Sequence, residues 1–129
     1  MDVTAALMAA HRVGTLATAA LQVGCAQRGL DMTVEHTKQR EQFGRPIGSF
    51  QALKHRMVDM LVRSRCPARA PGPPSRPTST TMAVAAETIQ LHGGIAITWE
   101  HDAHLVFKRA QALHQLFGLP HQQRAPLLG

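Results

Sequence analysis

Residues 26–60 read AQRGLDMTVEHTKQREQFGRPIGSFQALKHRMVDM, and the reading of this stretch decides the fold. Its first part holds no proline, and Leu30 and Val34 stand four apart, the spacing of one helix face. Gly44 then permits a positive φ and Pro46 blocks helix propagation, so 39–47 read as a turn. Ser49 is a candidate N-cap. Beyond it Phe50, Leu53, Met57, Met60 and Leu61 share one face of a second helix that runs to about Arg65.

Upstream, the helical spacing extends to the start of the chain through Val3, Ala6, Leu7, Ala10, Val13, Ala17, Ala20 and Leu21. Residues 2–38 are therefore expected to form one helix about 50 Å long, at 1.5 Å per residue. Such a rod suits a bundle or an oligomer better than a small globule. Gly14 and Gly24 lower its helix propensity and open space for a neighbouring helix. Downstream, CPARAPGPPSRPTSTT at 66–81 carries five prolines. Missing amide donors and fixed φ angles argue against regular structure there, so an extended, disordered linker is expected. Helical spacing resumes over 82–91 and ends at Gly93 and Gly94. A last helix is expected over about 100–116, with Leu105, Val106, Ala112, Leu113 and Leu116 as its apolar residues and Gly118 and Pro120 beyond it. No segment alternates as a strand does. The expected class is all-α, an antiparallel helix bundle.

Composition narrows the function. The chain has 129 residues, 44% hydrophobic and 17% charged, with a formal charge of +6. Many of the arginines fall in 63–76 beside the prolines. With four Phe, one Trp and no Tyr, the chain lacks the stacking aromatics that accompany basic residues in nucleic-acid readers. No nucleic-acid partner is expected. No apolar run is long enough to span a membrane, and two cysteines, Cys25 and Cys66, fit a reducing compartment better than a disulfide scaffold. A cytoplasmic protein is expected.

Residues 26–60, together with AAETIQLHGGIAITWEHDAHLVFKRA at 85–110, resemble the C-terminal helical domain of FAD-dependent acyl-CoA dehydrogenases. REQFGRPIGSFQ, IQLHGG and TWEHDAH carry the resemblance. It implies a four-helix bundle that forms oligomer contacts and reaches FAD held by a neighbouring subunit. The family reaction it implies is α,β-dehydrogenation of an acyl-CoA thioester, in fatty acid or sterol side-chain catabolism. A carboxylate removes the α-proton while a hydride leaves the β-carbon for the flavin. Arg40 resembles the arginine that meets the FAD diphosphate, a role suited to a forked guanidinium. Gln42, Phe43 and Gln51 resemble further cofactor contacts. Gln90, Gly93 and Gly94 resemble a second contact loop, where glycine lets backbone approach the cofactor closely.

The match also breaks in three places. The family's N-terminal helical and middle β domains are not in this sequence, so acyl-CoA binding is expected only with those domains. The stretch 66–81 matches nothing in the family and leaves the bundle incomplete. The two places where members keep the catalytic glutamate read Phe117 and Gly14, neither of which can accept a proton. No catalytic residue is therefore assigned. The expected partners are further copies of the chain or another acyl-CoA dehydrogenase subunit, since some members are base-free subunits of mixed oligomers. A non-catalytic interaction module and a degraded remnant are the alternatives. His92, His101 and His104 lack the HExxH spacing of zinc enzymes, and no metal is expected. Cys25 reads as a buried, inert thiol. Leu7, Leu16, Leu21, Val23, Leu53, Met57 and Met60 are expected to form stripes that one chain cannot bury alone.

Overall fold

A computed structural model describes residues 3–65 and 77–116. Among them the chain forms α1 (Val3–Gln39), a short hairpin of β1 (Glu41–Gln42) and β2 (Arg45–Pro46), a 3₁₀ turn (Ile47–Ser49), α2 (Gln51–Arg65), α3 (Pro77–His92), a second 3₁₀ turn (Gly93–Ile97) and α4 (Ala103–Gln115). The class is all-α, and the long proline-free helix expected over 2–38 is present as α1.

Helix α3 occupies the middle of the bundle. On one side Cys25 of α1 and Ala85 of α3 pack with Val106, Ala110 and Leu113 of α4. On the other, Ala26 and Leu30 of α1 and Val84 and Leu91 of α3 pack with Met60 of α2. Arg56 of α2 and Glu87 of α3 pair at the rim.

The seam between α1 and α3 is more polar than the apolar spacing suggests. Thr33, Thr81 and Thr88 are buried there, and Thr37 is buried where α1 meets the 3₁₀ turn and α2. Each hydroxyl is satisfied locally or across the seam. Thr33 donates to the Gly29 carbonyl at 2.8 Å and Thr88 to that of Val84 at 3.0 Å. Thr81 donates to the Gln22 carbonyl at 3.1 Å. A hydroxyl that bonds its own helix can be buried at little cost, because no donor is left without a partner.

Five expectations change. Helix α2 starts at Gln51, after an extended Phe50 whose carbonyl accepts from the Leu53 and Lys54 amides. Ser49 therefore lies in the 3₁₀ turn and is not the cap. The segment 77–81 is helical, because proline is tolerated at a helix's first position, where an amide hydrogen has no partner anyway. The rest of the proline-rich segment, 66–76, and the tail from 117 lie outside the described residues. Helix α4 begins at Ala103, because the 3₁₀ turn and the bend after it take up the preceding residues. Met60 is 1% exposed and is core, with Leu53 and Met57 packed against it. The close approach between helices falls at Gly29, whereas Gly24 faces open space.

The first part of α1 stands apart from this packing. Burial along it begins at Thr18, and Leu7 and Leu16 are 70% and 72% exposed.

Candidate functional site

The turn after α1 is a hairpin of defined register, Glu41 opposite Pro46 and Gln42 opposite Arg45. Its two loop residues, Phe43 and Gly44, have φ of 55° and 74°. Both values are positive, as a tight hairpin turn that follows strand twist requires. Glycine takes this conformation freely, but a bulky aromatic does so at a steric cost. The Phe43 side chain is 92% exposed and stands edge-on to Phe50, with ring centres 6.2 Å apart. The Arg45 guanidinium caps the Phe50 ring at 4.1 Å. The hairpin is fastened below by the Ile47 amide donating to the Arg40 carbonyl at 2.8 Å. Arg40, Gln42 and Gln51 are exposed; the Gln51 amide meets the His55 ring at 2.9 Å.

Across the bundle end, α3 stops at His92. Gly93 has a φ of 65°, and a Cβ built on Gly93 or Gly94 would meet nothing within 4 Å. The space beside Gly94 is therefore not used by the packing of the described residues. Gln90 is exposed one turn earlier.

Three histidines bring these segments together. The His36 and His92 rings stack, with centres 4.4 Å apart, and the His92 and His101 centres are 4.6 Å apart. His36 lies one helical turn before Arg40, and His92 immediately precedes Gly93. The hairpin and the Gly93–Gly94 turn thus occupy the same end of the bundle. Burial pushes the His36 imidazolium below its ordinary range, with the His101 ring and the Arg40 guanidinium adding to the fall. Burial also lowers His92, with His36 and His101 acting in the same direction and the Thr88 and Met32 carbonyls opposing. Both rings are thereby favoured in the neutral form near pH 7.

The sequence-based grouping of histidines differs from the spatial one. His104 lies outside the trio, with Nδ1 donating to the His101 carbonyl at 2.8 Å and its ring edge-on to Trp99. His36 takes its place. Its position four residues before Arg40 marks a shared helix face, but a histidine amid the polar residues of α1 carries no further signal. Of the two places resembling a base position, Gly14 lies 26 residues before Arg40, which along a helix is roughly 40 Å from this end. Phe117 falls outside the described residues.

Residues 4–67 match the family model for the C-terminal domain of acyl-CoA dehydrogenases. The chain is 52% identical over 119 residues to the acyl-CoA dehydrogenase IpdE2 of Mycobacterium tuberculosis, covering 81% of this chain and 37% of that protein. The chain belongs to the acyl-CoA dehydrogenase family. Butyryl-CoA dehydrogenase from Megasphaera elsdenii shares the fold, with a TM-score of 0.73 at 24% identity over 87% of this chain and 35% of that one. A chain of the ChsE4–ChsE5 complex of Mycobacterium tuberculosis superposes with a TM-score of 0.62 at 27% identity, covering 88% of this chain and 36% of that one. The chain thus spans well under half the length of the curated relatives it matches. Among the described residues no helix is long and apolar enough to cross a membrane.

Proposed function

We propose that the chain supplies cofactor contacts and an oligomer interface to a cytoplasmic FAD-dependent acyl-CoA dehydrogenase assembly. The observation that carries this reading is the His36–His92 stack. It holds the exposed hairpin and the exposed Gly93–Gly94 turn at one end of the bundle. Arg40 would bind the FAD diphosphate through charge-assisted hydrogen bonds. Gln42 and Gln51 would bond cofactor oxygens, and the exposed ring of Phe43 would pack against a heterocycle. Gln90 would add a polar contact beside Gly93 and Gly94, whose open surroundings admit a bulky group. A non-glycine residue held at positive φ on an exposed tip is strain of the kind found at binding sites. When bound, FAD supplies the hydride acceptor for acyl-CoA oxidation. This chain's part is to bind and orient it, because Phe117 and Gly14 offer no proton acceptor.

Titration of the full chain with FAD, read by flavin fluorescence, tests this. Saturable binding is expected, weakened roughly 10- to 100-fold by Arg40→Ala, the equivalent of a charged hydrogen bond worth about 1.5–3 kcal/mol. Gly94→Val, whose Cβ would have no atom of the described residues within 4 Å apart from its chain neighbours, is expected to weaken FAD binding while leaving helicity intact. The isolated chain is expected to show no turnover of acyl-CoA with an electron acceptor. Absence of FAD binding, with a second dehydrogenase subunit still captured, would replace this reading with the interaction module. That second reading is favoured by the exposed apolar residues of the first part of α1.

A further inference from the structure

We propose that His36, His92 and His101 form a binding site for one divalent transition-metal cation of the zinc class. Each ring offers a nitrogen, and the three nitrogens lie within 4.8 Å of one another. They come from three places in the fold: the end of α1, the end of α3 and the bend before α4. The proposal does not depend on the flavin reading.

His92 is the anchor. Its Nδ1 lies 2.7 Å from the Thr88 carbonyl, which can only accept, so Nδ1 carries the hydrogen and Nε2 the lone pair. That Nε2 is buried, on a residue 5% exposed, and among the described residues no group meets it with hydrogen-bond geometry, although the Met32 carbonyl also acts on the His92 ring. A buried acceptor without a partner costs stability unless something outside the chain completes it. An imidazole whose second nitrogen donates to a backbone carbonyl is also the usual state of a metal-ligating histidine, since that bond fixes tautomer and ring direction.

The other two rings are half-buried and can adjust. Four-coordinate zinc with bonds of about 2.0–2.1 Å holds its nitrogens roughly 3.3 Å apart. The 4.8 Å spread must therefore contract and the His36–His92 stack open. His101 accepts the Ala103 amide at Nδ1 over a long 3.2 Å, and ligation gives up that weak bond. Asp31, Glu35, Glu100 and Asp102 line an open groove of about 640 Å³ with His36 and His101. Four carboxylates outnumber the Arg28 guanidinium of the groove wall and the Arg40 guanidinium that acts on His36, which makes this entrance attractive to a cation. Three imidazoles select zinc, cobalt, nickel or copper over the hard ions magnesium and calcium. A carboxylate of the groove or a water would complete the shell.

Co(II) is the probe. Titration of the full chain should give visible ligand-field absorption that saturates at one equivalent and is bleached by Zn(II) but not by Mg(II). His36→Ala and His101→Ala, each checked for retained helicity, should weaken binding at least tenfold, while His55→Ala should not. Should the variants unfold, the unaltered chain still decides. Zn(II) should shift the imidazole NMR resonances of His36, His92 and His101 and spare those of His55 and His114. Absence of saturable Co(II) absorption, undiminished binding by both folded variants, or shifts confined to other histidines would each overturn the proposal.

Discussion

Gly29 of α1 and Thr88 of α3 face each other so closely that a Cβ on Gly29 would lie 2.8 Å from the Thr88 hydroxyl oxygen and 3.3 Å from a methyl of Val106. Thr88 cannot swing aside freely, because it is fully buried and its hydroxyl bonds the Val84 carbonyl. Gly29→Ala is therefore expected to destabilise the fold. Overpacking of about 1–3 kcal/mol outweighs the gain of up to about 1 kcal/mol in helix propensity. Gly24→Ala, in open space on the same helix, keeps that gain and should stabilise. Urea unfolding of the two variants should move the midpoint in opposite directions; equal shifts would show that α3 does not seat on Gly29.

The contrast marks how far the sequence can be read. The proline-free spacing of α1, the stop at Gly93 and the turn at Gly44 are local, so they are legible without a partner. Which glycine meets a neighbour depends on how α1 is rotated against α3, and the buried threonines that set this rotation look polar in the sequence. Pro77 misleads for a related reason. Proline excludes a helix interior but not a helix start, and the poor helix formers 78–81 are carried into α3 by the run from Met82 onward and by burial of Thr80 and Thr81. In the candidate site, Arg40, Gln42, Gly93 and Gly94 stand out by family resemblance. The part of His36 emerges only when two helix ends meet.

Met60 separates core from surface on α2. It is 1% exposed and packs with Leu30, Val84 and Leu91, whereas Leu61 next to it is 37% exposed. Met60→Ala should cost about 2–5 kcal/mol, as buried large-to-small changes do. Leu61→Ala should cost far less. Thermal or urea unfolding followed by circular dichroism measures both, and similar losses for the two would place α2 in a different rotation.

Association should run through the first part of α1. Val3, Leu7, Val13 and Leu16 are each at least 67% exposed and recur three to six residues apart. Covering one large apolar side chain is worth roughly 1.5–3 kcal/mol, so several together favour a second copy or a homologous subunit. Light scattering at micromolar concentration is expected to give a mass above one chain. Leu7→Gln with Leu16→Gln should lower it toward one chain without loss of helicity, since neither residue supports the core. A monodisperse monomer of the unaltered chain would defeat this prediction.

Cys25 gives a chemical readout of the α1–α4 seam. Its thiol is 6% exposed and lies 3.5 Å from the Val106 carbonyl. Burial raises its pKa above the ordinary thiol value, and the Arg109 guanidinium opposes the rise. Only the thiolate attacks an alkylating reagent. At pH 8 the folded protein therefore presents less thiolate at this position than the unfolded chain, and it shields what there is. Alkylation of Cys25, mapped by peptide mass spectrometry, should be at least about tenfold slower in buffer than in denaturant. Its rate should climb with each step in pH as the thiolate fraction grows. Arg109→Gln removes the opposing charge, so the thiol pKa rises further and labelling slows again. Equal rates in buffer and denaturant would mean that α4 does not cover Cys25. Faster labelling in Arg109→Gln would mean that the guanidinium acts mainly as a lid over the thiol, with its charge secondary.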